Sequence, residues 1–105
     1  MLEPILGSIN AERVLLFILA RDKGYAREIA RFFETDFSPI YSQLKRLEFG
    51  GVLVGREVGK TREFEFNPRY PFLKELKILL EKALSFYPEP DREKLVMTRR
   101  RPRRS

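Results

Sequence analysis

Residues 25–67, YAREIARFFETDFSPIYSQLKRLEFGGVLVGREVGKTREFEFN, carry two helical apolar patterns followed by an alternating one. The first pattern has the i, i+3, i+4, i+7 spacing of one helical face and comprises Ala26, Ile29, Ala30 and Phe33. The second pattern has the same period and comprises Ile40, Leu44 and Leu47. The stretch therefore predicts two short amphipathic helices that are separated by a tight turn.

The second of these helices is expected to cover residues 38–49. Two N-caps are possible at its start: Ser38 with Pro39 at the first helical position, or Asp36 with Pro39 inside the first turn. Gly50 and Gly51 follow the last apolar residue and supply the left-handed turn that ends a helix.

A β-hairpin is predicted over residues 52–66. Val52 begins the first strand, and residues 63–66 alternate strictly between Glu and Phe, which indicates a strand with one buried face. Tyr25 could form a short strand that pairs with this hairpin. Helix, turn, helix and hairpin together favour a mainly helical α+β fold, the winged helix-turn-helix. It would have a three-helix core, a β-hairpin wing and a C-terminal dimerisation helix.

Two further helices flank this stretch, at residues 9–20 and 71–87. The first has Ser8 or Asn10 as its cap and is apolar at every position of residues 14–19, so it must be buried on several sides. We favour a second copy of the chain as the additional covering surface; the alternative is that its own domain wraps the helix. The second helix opens at Pro71 and has a wide apolar face.

Charge is distributed unevenly along the chain. Net charge is +6, but five of the 21 basic residues are arginines within residues 99–104, which leaves 16 basic against 15 acidic residues elsewhere. The body is therefore nearly neutral, and any basic surface must come from local sorting of charge. We expect residues 1–87 to form the domain with its dimerisation helices, and residues 88–105 to form a polar, arginine-rich, disordered tail.

Composition excludes several classes of function. The chain has no cysteine and no histidine, which removes disulfides, thiolate or imidazole metal sites and the usual nucleophile–base pairs. We therefore expect neither an enzyme nor a cofactor or metal site. The apolar run at residues 14–20 is shorter than the roughly 20 residues of a membrane span, and the N-terminus lacks a signal-peptide pattern. The expected location is cytoplasmic, on the nucleoid when bound to DNA.

The outward face of the predicted helix at residues 38–49 is the main candidate for DNA contact. Recognition helices touch base edges mainly from their N-terminal half. Here that half presents Ser38, Pro39, Tyr41, Ser42 and Gln43. Lys45 and Arg46 follow and could contact bases or phosphates. The alternative is an ordinary surface helix with a polar face.

The hairpin adds a second basic element. Near its tip the hairpin has three basic residues, Arg56, Lys60 and Arg62, and one acidic residue, Glu57. This excess of positive charge suits a wing that rests on phosphates or enters a minor groove. The alternative is a solvated hairpin whose edge charges prevent aggregation. Glu63 and Glu65 on the second strand would repel a DNA backbone, so contact is expected at the tip alone.

These motifs resemble the winged helix-turn-helix repressors of the arsenical-resistance type and their prokaryotic relatives. The resemblance rests on YAREIARFF, SPIYSQLKRLEFGGVLV, the hairpin and NPRYPFLKELKILLEKAL, and covers residues 9–87. It implies a homodimer formed through helices 9–20 and 71–87, with helix 38–49 in the DNA major groove.

Three departures from that family are visible. The absence of cysteine and histidine rules out metal sensing of the thiolate type. The turn between the two helices, Glu34-Thr35-Asp36, lacks the usual glycine, and Phe37 and Phe49 stand at positions that are more often polar.

The sequence thus predicts a small dimeric prokaryotic transcription regulator that binds double-stranded DNA sequence-specifically. The alternative is a winged-helix module for protein–protein interaction in transcription or chromosome machinery. A continuous positive stripe from Lys45 and Arg46 to the wing tip would favour DNA, whereas acidic interruption by Glu63 and Glu65 would favour a protein partner.

Overall fold

The computed structural model describes the backbone of residues 1–100 and the side chains of residues 1–96. Within that range the predicted mainly helical α+β class is confirmed. The elements in chain order are α1 (Glu3–Leu6), α2 (Ile9–Arg21), β1 (Gly24–Tyr25), α3 (Ala26–Phe32), α4 (Phe37–Phe49), β2 (Leu53–Val58), β3 (Thr61–Phe66), α5 (Leu73–Leu84) and α6 (Glu89–Arg100).

The three strands form one antiparallel sheet in the order β1-β3-β2. Tyr25 lies opposite Glu63, so the predicted short strand does pair with the hairpin. β2 and β3 run in register from Leu53 opposite Phe66 to Val58 opposite Thr61. Gly59 turns the chain at the tip with φ of 63°, in the left-handed region that glycine enters without steric cost. Residues 52–66 therefore form the wing.

Helix α4 starts one residue earlier than the expected bound. Asp36 is its N-cap residue, although its side chain makes no capping hydrogen bond, and Pro39 lies inside the first turn. Ile40, Leu44 and Leu47 are buried, which confirms the predicted inward face. In the preceding turn Glu34 has φ of 54°, so it adopts the left-handed conformation for which related turns use glycine.

Helix α2 is the centre of the core. It is covered by its own domain, whereas we expected a second copy of the chain to cover part of it. Its apolar side chains from Val14 to Ile18 are at most 1% exposed in the single chain. Helices α1, α3, α4, α5 and α6 all pack against it. The alternative that its own domain wraps the helix is therefore right, and a second copy is not needed to bury it. Ser8 is the cap, since its hydroxyl accepts a hydrogen bond from the Ala11 amide at 3.0 Å.

The C-terminal half differs from expectation in two places. Helix α5 begins at Leu73 because residues 67–72 form turns, so Pro71 does not open it. Helix α6 occupies most of the segment that was expected to be a disordered tail. It packs on α2 because Leu95 enters the core and Arg21 Nε donates to the Leu95 carbonyl at 3.1 Å. The arginines at 101, 103 and 104 lie outside the described residues.

Candidate nucleic-acid interface

Helix α4 has a polar face that points to solvent because the opposite, apolar face is buried in the core. Ile40 and Leu44 are completely buried, and these two anchors fix the rotation of the helix against the core. Five of the predicted contact residues lie on the opposite, exposed side: Ser38, Pro39, Tyr41, Ser42 and Lys45. The N-terminal half of α4 is therefore open to solvent.

Gln43 is half-buried, and Arg46 is exposed but makes two contacts within the domain. Arg46 Nε donates to Gln43 Oε1 at 2.9 Å, and Arg46 Nη2 donates to the Leu6 carbonyl at 3.0 Å. These contacts direct the guanidinium towards the C-terminal end of α1. The structure thus separates two predicted site residues from the rest of the set, because Arg46 joins α4 to α1.

Lys45 and Arg62 are both paired with Glu48. Lys45 Nζ lies 3.3 Å from Glu48 Oε1, and Arg62 Nη2 lies 2.6 Å from Glu48 Oε2. The hydrogen bond from Arg62 is the main reason that the pKa of Glu48 is lowered, and the Lys45 contact acts in the same direction. Arg62 Nη1 also lies 3.3 Å from Glu57. The pair with Glu48 ties the wing to α4.

Gly55 makes this tie possible. A Cβ atom at Gly55 would lie 2.8 Å from Arg62 Nε, so the Arg62 side chain would have to shift. The distances of 3.1 Å from this Cβ atom to Glu48 Oε2 and to the Phe64 ring would be tight. The Arg62 side chain therefore crosses β2 over a residue that has no side chain. Its Nε atom is buried and has no hydrogen-bond partner among the described residues, so the hydrogen bonds that orient the guanidinium go to Glu48 and Glu57, and the group also lies over the Phe64 ring.

Replacing Gly55 with alanine is expected to displace Arg62 and break its pair with Glu48. The free energy of unfolding should fall by about 1 kcal/mol, the scale of one partly exposed charged hydrogen bond. The pKa of Glu48, measured by NMR titration, should rise towards its ordinary value. Gly50→Ala is the matched control, because Gly50 has φ of −81° and nothing closer than 3.5 Å to an added Cβ. An unchanged Glu48 pKa in Gly55→Ala would contradict the tie.

The wing carries less free positive charge than its composition predicts. Arg56 lies 3.2 Å from Glu63, which is directly opposite it in the sheet. Lys60, at the tip, makes no ion pair with any described residue. Glu48, Glu57 and Glu63 thus interrupt the stripe that was expected to run from Lys45 to the tip, and Lys60 is left as its freely available cation.

Two residues outside the predicted set extend the exposed face. The rings of Phe37 and Tyr41 are stacked with centroids 5.5 Å apart and planes 11° apart. The Arg27 guanidinium of α3 lies 4.9 Å from the Phe37 centroid. These three side chains, with Lys60 and Arg62, help to line a cleft of about 350 Å³ between α4 and the wing. Only the tertiary structure shows that Arg27 reaches α4, since sequence periodicity places it merely on the polar side of α3.

The described part of the chain has neither a metal-ligand cluster nor a membrane-spanning helix. It holds no cluster of three or more acidic, histidine or cysteine side chains that could bind a metal ion. None of its helices is long and apolar enough to cross a bilayer.

Neither a family model nor a curated protein matches this chain. Three solved structures are similar to it. A double mutant of Lactococcus lactis ZitR in the apo form has a TM-score of 0.56 at 16% identity, over 86% of this chain and 76% of that one. A second structure of that mutant has a TM-score of 0.52 at 12% identity, over 84% and 68% of the two chains. The adhesin competence repressor AdcR from Streptococcus pyogenes has a TM-score of 0.50 at 14% identity, over 91% and 82%.

None of these three structures is of an arsenical-resistance repressor, so that narrower resemblance stays a prediction from sequence. At sequence identities this low, the similarity shows the fold alone. Together with the exposed helix α4 and the hairpin beside it, the comparisons establish that this chain has a winged helix-turn-helix fold.

Proposed function

We propose that this protein is a dimeric, sequence-specific binder of double-stranded DNA that regulates transcription in a prokaryotic cytoplasm, on the nucleoid when bound. Helix α4 would enter the major groove, and the wing would rest on the backbone or in the minor groove. The observation that carries the proposal is the exposed polar N-terminal half of α4, held outward by fully buried Ile40 and Leu44 beside the hairpin. The winged-helix repressor among the similar structures supports it.

The predicted contacts fall into groups by their accessibility. Ser38, Tyr41 and Ser42 would reach base edges, and Pro39 would pack in the groove. Lys45, Arg56 and Arg62 would exchange their carboxylate partners for phosphates, while Lys60 needs no exchange. Arg46 would contact DNA only after leaving the Leu6 carbonyl of α1, and Gln43 only after releasing Arg46.

Dimerisation is proposed through the segment at residues 71–87, of which Leu73–Leu84 form α5. Three of its large apolar side chains are well exposed: Phe72 at 62%, Ile78 at 57% and Phe86 at 65%. Helix α2 has few apolar atoms left to offer, because its own domain covers them. A dimer would bury these three side chains and place two copies of α4 for two half-sites.

Replacing Lys60 with alanine is expected to weaken binding at every sequence, because a phosphate contact carries no base information. The slope of log K against log salt should become shallower by about 1 per protomer. Fluorescence anisotropy at several salt concentrations measures both effects. Lys23→Ala, which removes the same charge from the exposed segment between α2 and β1, should leave the slope unchanged. An unaltered slope in Lys60→Ala would remove the tip from the interface.

The same measurement on genomic fragments, including the region upstream of the gene, tests the function itself. Tight binding that differs between fragments at fixed salt is the expected result. The alternative, a protein-interaction module, is favoured by the ion pairs of Lys45, Arg56 and Arg62, which neutralise most of the expected stripe. Binding that never discriminates between sequences would move that alternative to first place.

A further inference from the structure

The first two turns of α4 expose an aromatic pair within an otherwise polar face. Phe37 is 38% exposed and Tyr41 is 37% exposed, and their rings are stacked with planes 11° apart. Neither side chain is needed to seat the helix, since Ile40 and Leu44 do that at complete burial. This exposed apolar pair lies at the end of α4 that would meet the bases. We therefore expect the two rings to make a contact there that the polar side chains do not make.

Arg27 determines which part of Phe37 is available. Its guanidinium lies 4.9 Å from the ring centroid, and the Tyr41 ring lies 5.5 Å from it. Both contacts are made through a face of the ring, since the guanidinium lies over it and the Tyr41 ring is nearly parallel to it. The edge of Phe37 is free of both contacts.

The edge of an aromatic ring is apolar and carries partial positive charge. In the major groove thymine presents a methyl group beside the O4 acceptor, whereas the other three bases present no methyl group. A ring edge can pack on that methyl group while its positive hydrogens face O4. The chemistry exposed on the first turns of α4 thus suits thymine better than any other base.

We propose that Arg27, Phe37 and Tyr41 form a thymine-reading element, in which the edges of the two rings contact the C5-methyl groups of thymines. This inference rests on the proposed function, because it assumes that α4 enters the major groove. Arg27 would keep the stack in place and direct its remaining N–H donors to a phosphate beside the cleft. The three residues are specificity determinants additional to the polar side chains of α4.

The test compares an alternating d(A-T) duplex with an alternating d(A-U) duplex of the same length, which differ only in the methyl group. Full-length protein should bind the thymine duplex about fourfold more tightly for each methyl group it buries. A third duplex with 5-bromouracil, whose bromine has nearly the size of a methyl group, should restore the affinity. The double variant Phe37→Ala/Tyr41→Ala, which lacks both rings, should bind the thymine and uracil duplexes equally.

Phe49→Ala is the matched control. Phe49 is on the same helix and 95% exposed, but it lies outside the stack, so its removal should leave the preference for thymine intact. Thermal unfolding of both variants checks that they fold. Equal affinity of the unaltered protein for the thymine and uracil duplexes would overturn the inference while leaving DNA binding in place. Failure to bind any of the duplexes at low salt would overturn the proposed function and the inference with it.

Discussion

Replacing Glu12 with alanine is expected to lower the free energy of unfolding by about 3 kcal/mol, the scale of removing one partner from a buried charged network. Glu12 is fully buried in α2, and its carboxylate accepts hydrogen bonds from three donors. The N-terminal amine donates at 3.0 Å, the Leu2 amide donates at 2.8 Å, and the Tyr87 hydroxyl donates to the other oxygen. Without Glu12, the amide and the hydroxyl lose their acceptor inside the domain.

The contribution of Glu12 should depend on pH. Burial alone would raise its pKa, but the hydrogen bonds from Tyr87, the N-terminal amine and Leu2 outweigh that effect and lower it. A carboxyl group whose pKa is lower in the folded than in the unfolded state stabilises the folded protein. This stabilisation is complete when the pH is above the pKa in the unfolded state, which is about 4.3 for glutamate. That stabilisation is lost as the pH falls through the folded pKa.

Urea denaturation followed by circular dichroism measures both expectations. The difference between the unaltered protein and Glu12→Ala should be largest near neutral pH and should shrink in acid. Tyr87→Phe removes one donor and should cost about 1 kcal/mol. Glu81→Ala, an exposed glutamate of α5, should cost less than about 0.5 kcal/mol. A similar loss of stability in Glu12→Ala and Glu81→Ala would contradict the anchoring role.

A glutamate in place of Ser42 is expected to lower DNA affinity at least about 100-fold. Ser42 is exposed in the middle of the face that we propose for the major groove, so the new carboxylate would point at base edges and phosphates. Like-charge contacts at an interface cost several kcal/mol, and about 100-fold corresponds to roughly 2.7 kcal/mol. Anisotropy titration at fixed salt against the best genomic fragment measures the loss.

Ser42→Gln separates charge from size in that experiment. Glutamine has nearly the shape of glutamate without its charge, so this variant should lose much less affinity. Both variants should keep the unfolding midpoint of the unaltered protein, because Ser42 is exposed and glutamate and glutamine are good helix formers. Equal affinity of Ser42→Glu and the unaltered protein would place the DNA elsewhere or exclude DNA as the ligand.

Local patterns in the sequence were sufficient for most of the fold. The periodic apolar residues of α3 and α4 and the alternation along β3 predict those elements and most of their buried faces. Phe33 is the exception in the first pattern, since it follows the end of α3 and is only half-buried. These predictions hold because the side-chain period of a helix or strand belongs to the backbone itself and does not depend on distant contacts. The exposed candidates on α4, from Ser38 to Lys45, follow from the same rule.

Contacts between residues that are far apart in the sequence could not be predicted from such patterns. The sequence alone determined the winged-helix elements, the inward face of α4 and the absence of thiol and imidazole chemistry. The tertiary structure decided that α2 is wrapped by its own domain, that Arg46 joins α1 and that Glu48 holds Arg62 of the wing. Burial and ion pairing depend on which elements meet in space, and residues 14 to 75 positions apart meet here only after the chain has folded.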